Sequence, residues 1–235
     1  MRTESPDAVP VQSAASVLVL AERPELEVLL LHRRAGSAFV GGMVVFPGGA
    51  VDDADRSDAS RRLVDGDIAA ATKEAGGEIA HLVAVARETL EETGLWLGTD
   101  PAGPLAARRE IDSGRTRLAE VALAGSLRAG ALPHAGRWVT PVGAPRRYDA
   151  HFFVARADRS AQDLDALSPD GREVVGLEWT RPGDALRRLE AGDLTAMEPT
   201  VAYLEALIGY ETVDSVIETA RRGRRFEQLY AWTTI

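Results

Sequence analysis

Arg87-Glu88-Thr89-Leu90-Glu91-Glu92-Thr93-Gly94-Leu95 is the stretch on which the reading of this chain turns. Upstream of it Ile79, Leu82, Val83, Ala86 and Leu90 recur at three- and four-residue steps, which predicts a helix from Glu78 onward. Gly94 stands where a left-handed C-terminal cap belongs. On such a helix Glu88, Glu91 and Glu92 fall at i, i+3 and i+4, so their carboxylates share one face. Like charges at that spacing repel, and a hard divalent cation with oxygen ligands relieves the repulsion. Arg87 lies four residues before Glu91 and is placed to orient that carboxylate by a charge-assisted hydrogen bond. Taken alone, the run also reads as an ordinary solvated charged face.

Outward from this helix, Phe46-Pro47-Gly48-Gly49 closes a short apolar run, Met43–Phe46. Proline stops a strand, and glycines let backbone approach a ligand where a side chain would obstruct; alone, the segment reads as a turn. Ala14–Ala21 and Leu26–His32 read as buried strands joined at Glu22-Arg23-Pro24. Residues 52–77 crowd Asp52, Asp53, Asp55, Asp58 and Asp65 ahead of Ala- and Gly-rich text, and read as an inserted surface segment with some short helix. Downstream, a helical stretch Leu105–Leu127 broken near Ser113-Gly114 precedes strands at Arg137–Thr140, His151–Arg156 and Glu173–Thr180. Helices follow at Asp184–Glu190, Thr200–Leu207 and Asp214–Arg222. Strands interleaved with helices predict an α/β domain with both sheet faces covered.

The formal net charge of -9 argues against a duplex-coating nucleic-acid binder but not against anionic substrates, because a bound cation reverses the local sign. The absence of cysteine excludes disulfides, thiolate zinc sites and a cysteine nucleophile. His32, His81, His134 and His151 lack zinc-ligand spacing. Residues 1–11 read as a flexible polar tail without signal-peptide character, and the longest apolar runs, such as Val17–Ala21, are too short to span a bilayer. The expectation is a cytoplasmic protein with neither membrane nor nucleic acid as partner. The C-terminal Arg221, Arg222, Arg224 and Arg225 suit a helix C-terminus, and Tyr230 and Trp232 suit packing on the domain or a partner subunit.

Together, Phe46–Gly49 and Arg87–Leu95 resemble the two halves of the Nudix box, G-x5-E-x7-R-E-U-x-E-E-x-G-U, with U a bulky apolar residue and Gly49 as its first glycine. The sequence departs from it in three places. Asp55 stands at the first acidic position, residues 56–86 replace the seven-residue spacer, and Thr89 occupies a usually apolar position. Asp55 is in register from the glycine side and Glu78 nearly so from the helix side; the sequence leaves that choice open. A split box behind an FPGG loop is similar to the subgroup related to the peroxisomal coenzyme A and acyl-CoA diphosphatases. Leu30–Ala35 with Phe39, and Pro145-Arg146-Arg147-Tyr148-Asp149 before Phe152-Phe153, extend the likeness. The arginine that the coenzyme A motif expects is replaced by Ala38 or Phe39.

The resemblance implies a Nudix-type α/β/α sandwich with a mixed sheet, an N-terminal tail over 1–11, one domain over 12–235 and an insertion at about 56–77 inside the box. It implies magnesium or manganese held by Glu88, Glu91, Glu92 and the Gly48 carbonyl, with Arg87 orienting and Glu88 as a candidate general base, although which carboxylate serves as base stays open. A downstream acid could join them; Glu173 is a candidate that also reads as a merely exposed strand-edge carboxylate. The implied substrate is a small diphosphate, coenzyme A-like or a nucleoside diphosphate derivative. Arg33, Arg34, Arg146 and Arg147 are candidates to grip its phosphates, and Phe39 and Tyr148 to line or stack on the rest. A homodimer is likewise implied. A non-catalytic sensor of a phosphorylated metabolite, and an oligomer-forming scaffold, are the rival readings.

Overall fold

The computed structural model describes residues 9–36, 41–66, 78–157 and 162–222. β1 (Val11–Glu22) and β2 (Leu26–Arg33) form a hairpin whose strands pair only near the turn, from Leu20↔Val28 to Glu22↔Leu26, and then part. β3 (Val44–Val45) pairs with β2 and β4 (Gly48–Ala50) with β1, so that the two short strands fill the fork. β6 (Arg147–Arg156) lies parallel to the other edge of β1, β5 (His134–Val139) is antiparallel to β6, and β7 (Val174–Thr180) pairs antiparallel with β2. The result is a mixed seven-stranded sheet.

β1 is apolar on both faces because both are covered. Ala15, Val17 and Val19 join the core beneath α2 (Ile79–Thr93), together with Ile111 of α4 (Arg108–Asp112) and Leu118 of α5 (Leu118–Val121). Leu18 and Leu20 join the opposite core with α6 (Pro182–Glu190), α7 (Glu198–Ala206) and α8 (Val213–Arg222). This is the expected α/β/α sandwich. α2 ends at Gly94 with φ 78, its N–H on the Leu90 carbonyl.

Several elements differ from the sequence reading. Gly48-Gly49 form a strand rather than a stop, because side-chain-free residues fit the narrow fork beside β1. The stretch Leu105–Leu127 is not one broken helix. It contains α3 (Ala102–Ala106), α4 and α5, and residues from Ala122 onward leave the helix, with left-handed turns at Gly114 and Gly125. The segment after β4 contains α1 (Asp58–Arg61), but it is not confined to the surface: Leu63 and Val64 are buried, and Val64 bridges to Leu127. β6 begins at Arg147, so Arg147-Tyr148-Asp149 belong to the strand instead of preceding it. Val11 belongs to β1. The readings made at Phe39, at residues 1–8 and 67–77, and at Arg224, Arg225, Tyr230 and Trp232 lie outside the described residues.

Three histidines separated in sequence meet between α2 and the sheet. The His81 and His151 rings stack with centroids 4.1 Å apart, and His134 Nε2 lies 3.1 Å from His151 Nδ1. Ser13 Oγ contacts His81 Nε2 at 2.9 Å. Burial first, and then the neighbouring imidazoles, pull His134 down to about 4 and His151 down to about 3. The cluster is therefore built for neutral rings. As pH falls below the ordinary histidine value of 6.5, the unfolded chain takes up protons that the folded one refuses, and stability drops until the folded values are reached. His151→Asn should make urea-derived stability fall less steeply between pH 6 and 4 than in the native chain, by up to about 1.4 kcal/mol per pH unit. Equal slopes in the two proteins would show that this imidazole titrates freely in the fold.

Candidate functional site

The site is built where the β1–β2 fork meets the C-terminal half of α2. The Pro47 carbonyl accepts from Val17 N–H at 2.9 Å and Ser16 Oγ at 3.0 Å, which ties the FPGG segment to β1. The Gly48 N–H donates to Glu92 at 3.0 Å. A Cβ on Gly48 would stand 2.2 Å from the Ala15 carbonyl oxygen, and its φ of 147 is in the range that favours glycine. A Cβ on Gly49 would stand 2.4 Å from the Glu88 carboxyl carbon. One glycine therefore lets the backbone fit and its neighbour makes room for a carboxylate.

Arg87 ties the carboxylates together. Its Nε and Nη2 donate to the two oxygens of Asp55 at 3.1 and 2.9 Å, and Nη2 also reaches the Ala50 carbonyl at 3.0 Å. Nη1 serves Glu88 at 2.8 Å and Glu91 at 3.2 Å. Asp55 is 2% exposed and also accepts from Asp52 N–H at 2.9 Å. Glu78, its rival from the sequence, sits at the start of α2 and pairs with Arg56 at 3.4 Å. Asp55 thus fills the acidic place opposite the arginine. Thr89, the unexpected polar residue, is buried with its hydroxyl on the Val85 carbonyl at 2.7 Å, so it sits in the core at little cost.

These groups hold one another's charge in tension. Burial alone would favour a neutral Arg87, but Asp55, Glu88 and Glu91 outweigh it and keep the guanidinium firmly protonated. Burial raises Glu88 despite Arg87. Burial, opposed by Arg87 and helped by Glu88, pushes Glu91 up to about 7. Burial and the neighbouring Glu88 push Glu92 well up, against the Gly48 N–H and Arg33. The carboxylates are crowded and short of positive charge.

A cleft of about 830 Å³ opens on this face. Glu88, Glu92, Gly48, Arg33, Arg146 and Tyr148 line it, as the sequence proposed for each in some role. Glu91 and Arg87 stand behind the lining and brace it through their ion pair. Arg34 and Arg147 are not among the lining residues. Arg34 donates to the Gly171 and Arg172 carbonyls, and Arg147 to the Thr140 and Val9 carbonyls. Trp138, Phe46, Phe152, Met197 and Glu198, to which sequence reasoning gave no site role, also line the cleft. Trp138 on β5 and Thr140 just past its end, with the alternation of Tyr148, Ala150 and Phe152 on β6, were the available signal for a shared face.

The chain is similar to known proteins in sequence and in fold. The NUDIX domain family model matches residues 10–199. The chain is 26% identical over 267 residues to the acyl-coenzyme A diphosphatase NUDT19 of Gallus gallus, covering 87% of this chain and 70% of that protein. Against NUDT19 of Homo sapiens the identity is 25% over 256 residues, covering 88% and 67%. Among solved structures, a NUDIX hydrolase from Alicyclobacillus acidocaldarius superposes with a TM-score of 0.69 at 29% identity, over 90% of this chain and 97% of the other.

The two glycines should separate stability from site chemistry. Gly48→Ala drives a methyl into the backbone of β1 and should lower unfolding stability by about 2–4 kcal/mol in denaturant melts. Gly49→Ala meets only the end of the Glu88 side chain and no backbone, so it should cost less stability than Gly48→Ala while lowering affinity for manganese, the cation the family resemblance implies, by about tenfold or more in calorimetric titration. Unchanged manganese binding in Gly49→Ala would show that Glu88 does not need that space.

Proposed function

The chain belongs to the NUDIX domain family and is a Nudix-type pyrophosphohydrolase, and from that premise we propose that it uses magnesium or manganese to cut a diphosphate linkage in a coenzyme A-like or nucleoside diphosphate derivative. The observation that carries the reading is one cleft with two kinds of lining. Glu88, Glu92 and Arg33 are charged, whereas Phe46, Trp138, Ala150 and Phe152 are apolar. A diphosphate joined to a bulky, partly apolar group suits that division. The name of the NUDT19 relatives, acyl-coenzyme A diphosphatase, points to the same substrate class.

The donor set fits a hard cation. Among the described residues no three His, Asp or Glu side chains form a ready-made metal cage. Magnesium does not require one, since it keeps waters and takes one or two carboxylates plus substrate phosphate oxygens. Glu88 and Glu92 would hold it from the cleft wall, with Glu91 alongside. Gly48 meets this group through its N–H on Glu92, and its carbonyl is retained as a proposed ligand. Bound there, the cation neutralises diphosphate oxygens and makes water a better nucleophile. The chain's own share is positional. Arg87 fixes the Glu88 and Glu91 carboxylates, and a glutamate of this face, Glu88 in the simplest arrangement, accepts the proton of the attacking water. Oxygen attacks phosphorus, the bond from that phosphorus to the bridging oxygen breaks, and each product leaves with a phosphate end. Arg33, Arg146 and Tyr148 are the cleft residues assigned to substrate.

The departures at Asp55 and Thr89, which motivated the sensor reading, have structural explanations in the ion pair with Arg87 and the bond to Val85. A single domain over 12–235, a homodimer and a cytoplasmic location belong to the proposal; the domain and the dimer rest on the family resemblance, and the location on the cysteine-free composition and the polar N-terminal tail. Among the described residues no helix is long and apolar enough to cross a membrane.

Incubation with coenzyme A, an acyl-CoA, NADH, ADP-ribose and dinucleoside polyphosphates, each with magnesium or manganese, should show turnover of at least one, and product masses locate the cleaved bond. Glu91→Gln and Glu92→Gln should each lower kcat by about a hundredfold or more. Full activity in both would remove the site. Because Glu91 is raised to about 7 and must lose its proton to aid cation binding, manganese should bind more weakly at pH 6 than at pH 8.

A further inference from the structure

Arg33 enters the cleft just past an irregularity in β2: the register with β7 shifts between His32 and Arg33, which re-aims the side chain. Its backbone is pinned, with the N–H on the Met43 carbonyl at 3.0 Å. The side chain is 13% exposed, and its Nη1 lies 3.8 Å from Glu92. Nη2 holds Glu173 at 2.6 Å. Among the described residues the buried Arg33 Nε–H meets no acceptor. A buried cation at the cleft wall thus has donor capacity left over.

Glu173 is built in the opposite way. Its backbone is fixed, the N–H on Asp170 Oδ1 at 3.0 Å and the carbonyl accepting from Arg34 N–H at 2.8 Å. The same Asp170 oxygen also accepts from the N–H groups of Arg172 and Val174. Yet the Glu173 side chain is 67% exposed. A braced loop therefore holds an exposed carboxylate at the rim, against a partner that is buried.

Resting on the functional reading above, we propose that Glu173 is an internal counter-ion which the substrate's phosphate displaces from Arg33. Until the exchange, Glu173 neutralises Arg33, and the charged lining of the cleft repels anions through Glu88 and Glu92. A diphosphate carries more charge and more acceptor oxygens than one carboxylate, so it wins the guanidinium and fills the vacant donors. Glu173 returns to water at small cost, because its own carboxylate is already mostly exposed and the phosphate re-pairs Arg33 in the same exchange. A weakly charged ligand cannot drive the exchange. Glu173 is in this sense a positioning residue that acts through Arg33 and sets a threshold of ligand charge.

The test uses methylenediphosphonate, a non-hydrolysable diphosphate, titrated calorimetrically into the full chain with magnesium present. Glu173→Gln should bind it about three- to tenfold more tightly than the native chain, since the competitor is gone. Arg33→Gln should weaken binding more than about tenfold, and adding Glu173→Gln to Arg33→Gln should produce no further tightening. In turnover, Glu173→Gln should lower KM for whichever diphosphate the chain cleaves. Weaker or unchanged methylenediphosphonate binding in Glu173→Gln, a tenfold fall in its kcat, or tightening that persists without Arg33 would each overturn the proposal. The expected order of affinities in a chain that cleaves no diphosphate would support the counter-ion and fail the functional reading instead.

Discussion

The site depends on a buried arginine that has more negative neighbours than it can neutralise. Arg87 is 11% exposed and serves Asp55, Glu88 and Glu91 at once. Burying a guanidinium is tolerable only with well-made charge-assisted bonds, and removing one partner of such a pair typically costs about 3–5 kcal/mol. Asp55 provides the bidentate bond that anchors it. The remaining Nη1 is shared between two glutamates, and Glu92 has no claim on it. The result is a rigid frame with residual negative charge, displayed at the wall of the cleft. On the functional reading proposed above, that excess of acid is what a bound cation would balance.

The forked hairpin explains why that charge is reachable. Had β1 and β2 stayed paired along their length, side chains would have closed the sheet over the C-terminal half of α2. Their divergence after Leu20 and Val28 admits β3, Pro47 and β4 instead. Gly48 and Gly49 then bring bare backbone up to Glu92 and Glu88. The helix supplies the acids, and the fork supplies the space in which they are not smothered. The aromatic lining arises from the same sheet, because successive outward residues of β5 and β6 continue the face that β4 opens.

How much of this was legible in the sequence depended on range. The carboxylate face of α2, its glycine cap and the β1 and β2 strands follow from local periodicity, which the fold preserves. The role of Gly49 was visible only as a motif position; its physical reason, the approach of Glu88, needs a contact between residues far apart in the chain. Asp55 and Glu78 could not be separated from spacing, because an insertion between them destroys the register that would decide. Burial beside Arg87 decides it in favour of Asp55. The Leu105–Leu127 stretch misled because alanine and leucine favour helix locally, while Gly114 and Gly125 take left-handed backbone angles that break the helical run. Arg34 and Arg147 looked equivalent to Arg33 and Arg146, since sequence cannot tell a guanidinium that satisfies backbone carbonyls from one that faces a cleft.

That last distinction says where substrate charge can be met. Arg34 and Arg147 donate to backbone carbonyls, and in doing so brace the loop at Gly171-Arg172 and the start of β6. The same loop carries Glu173, and the same strand start carries Arg146 and Tyr148 into the cleft lining. Each outward-looking group therefore has a neighbour in sequence that fixes its backbone, and paired arginines divide the work of bracing and facing. Such a division makes the positions of the cleft cations a property of the fold instead of the rotamer, which is what an anion held in line for attack at phosphorus requires.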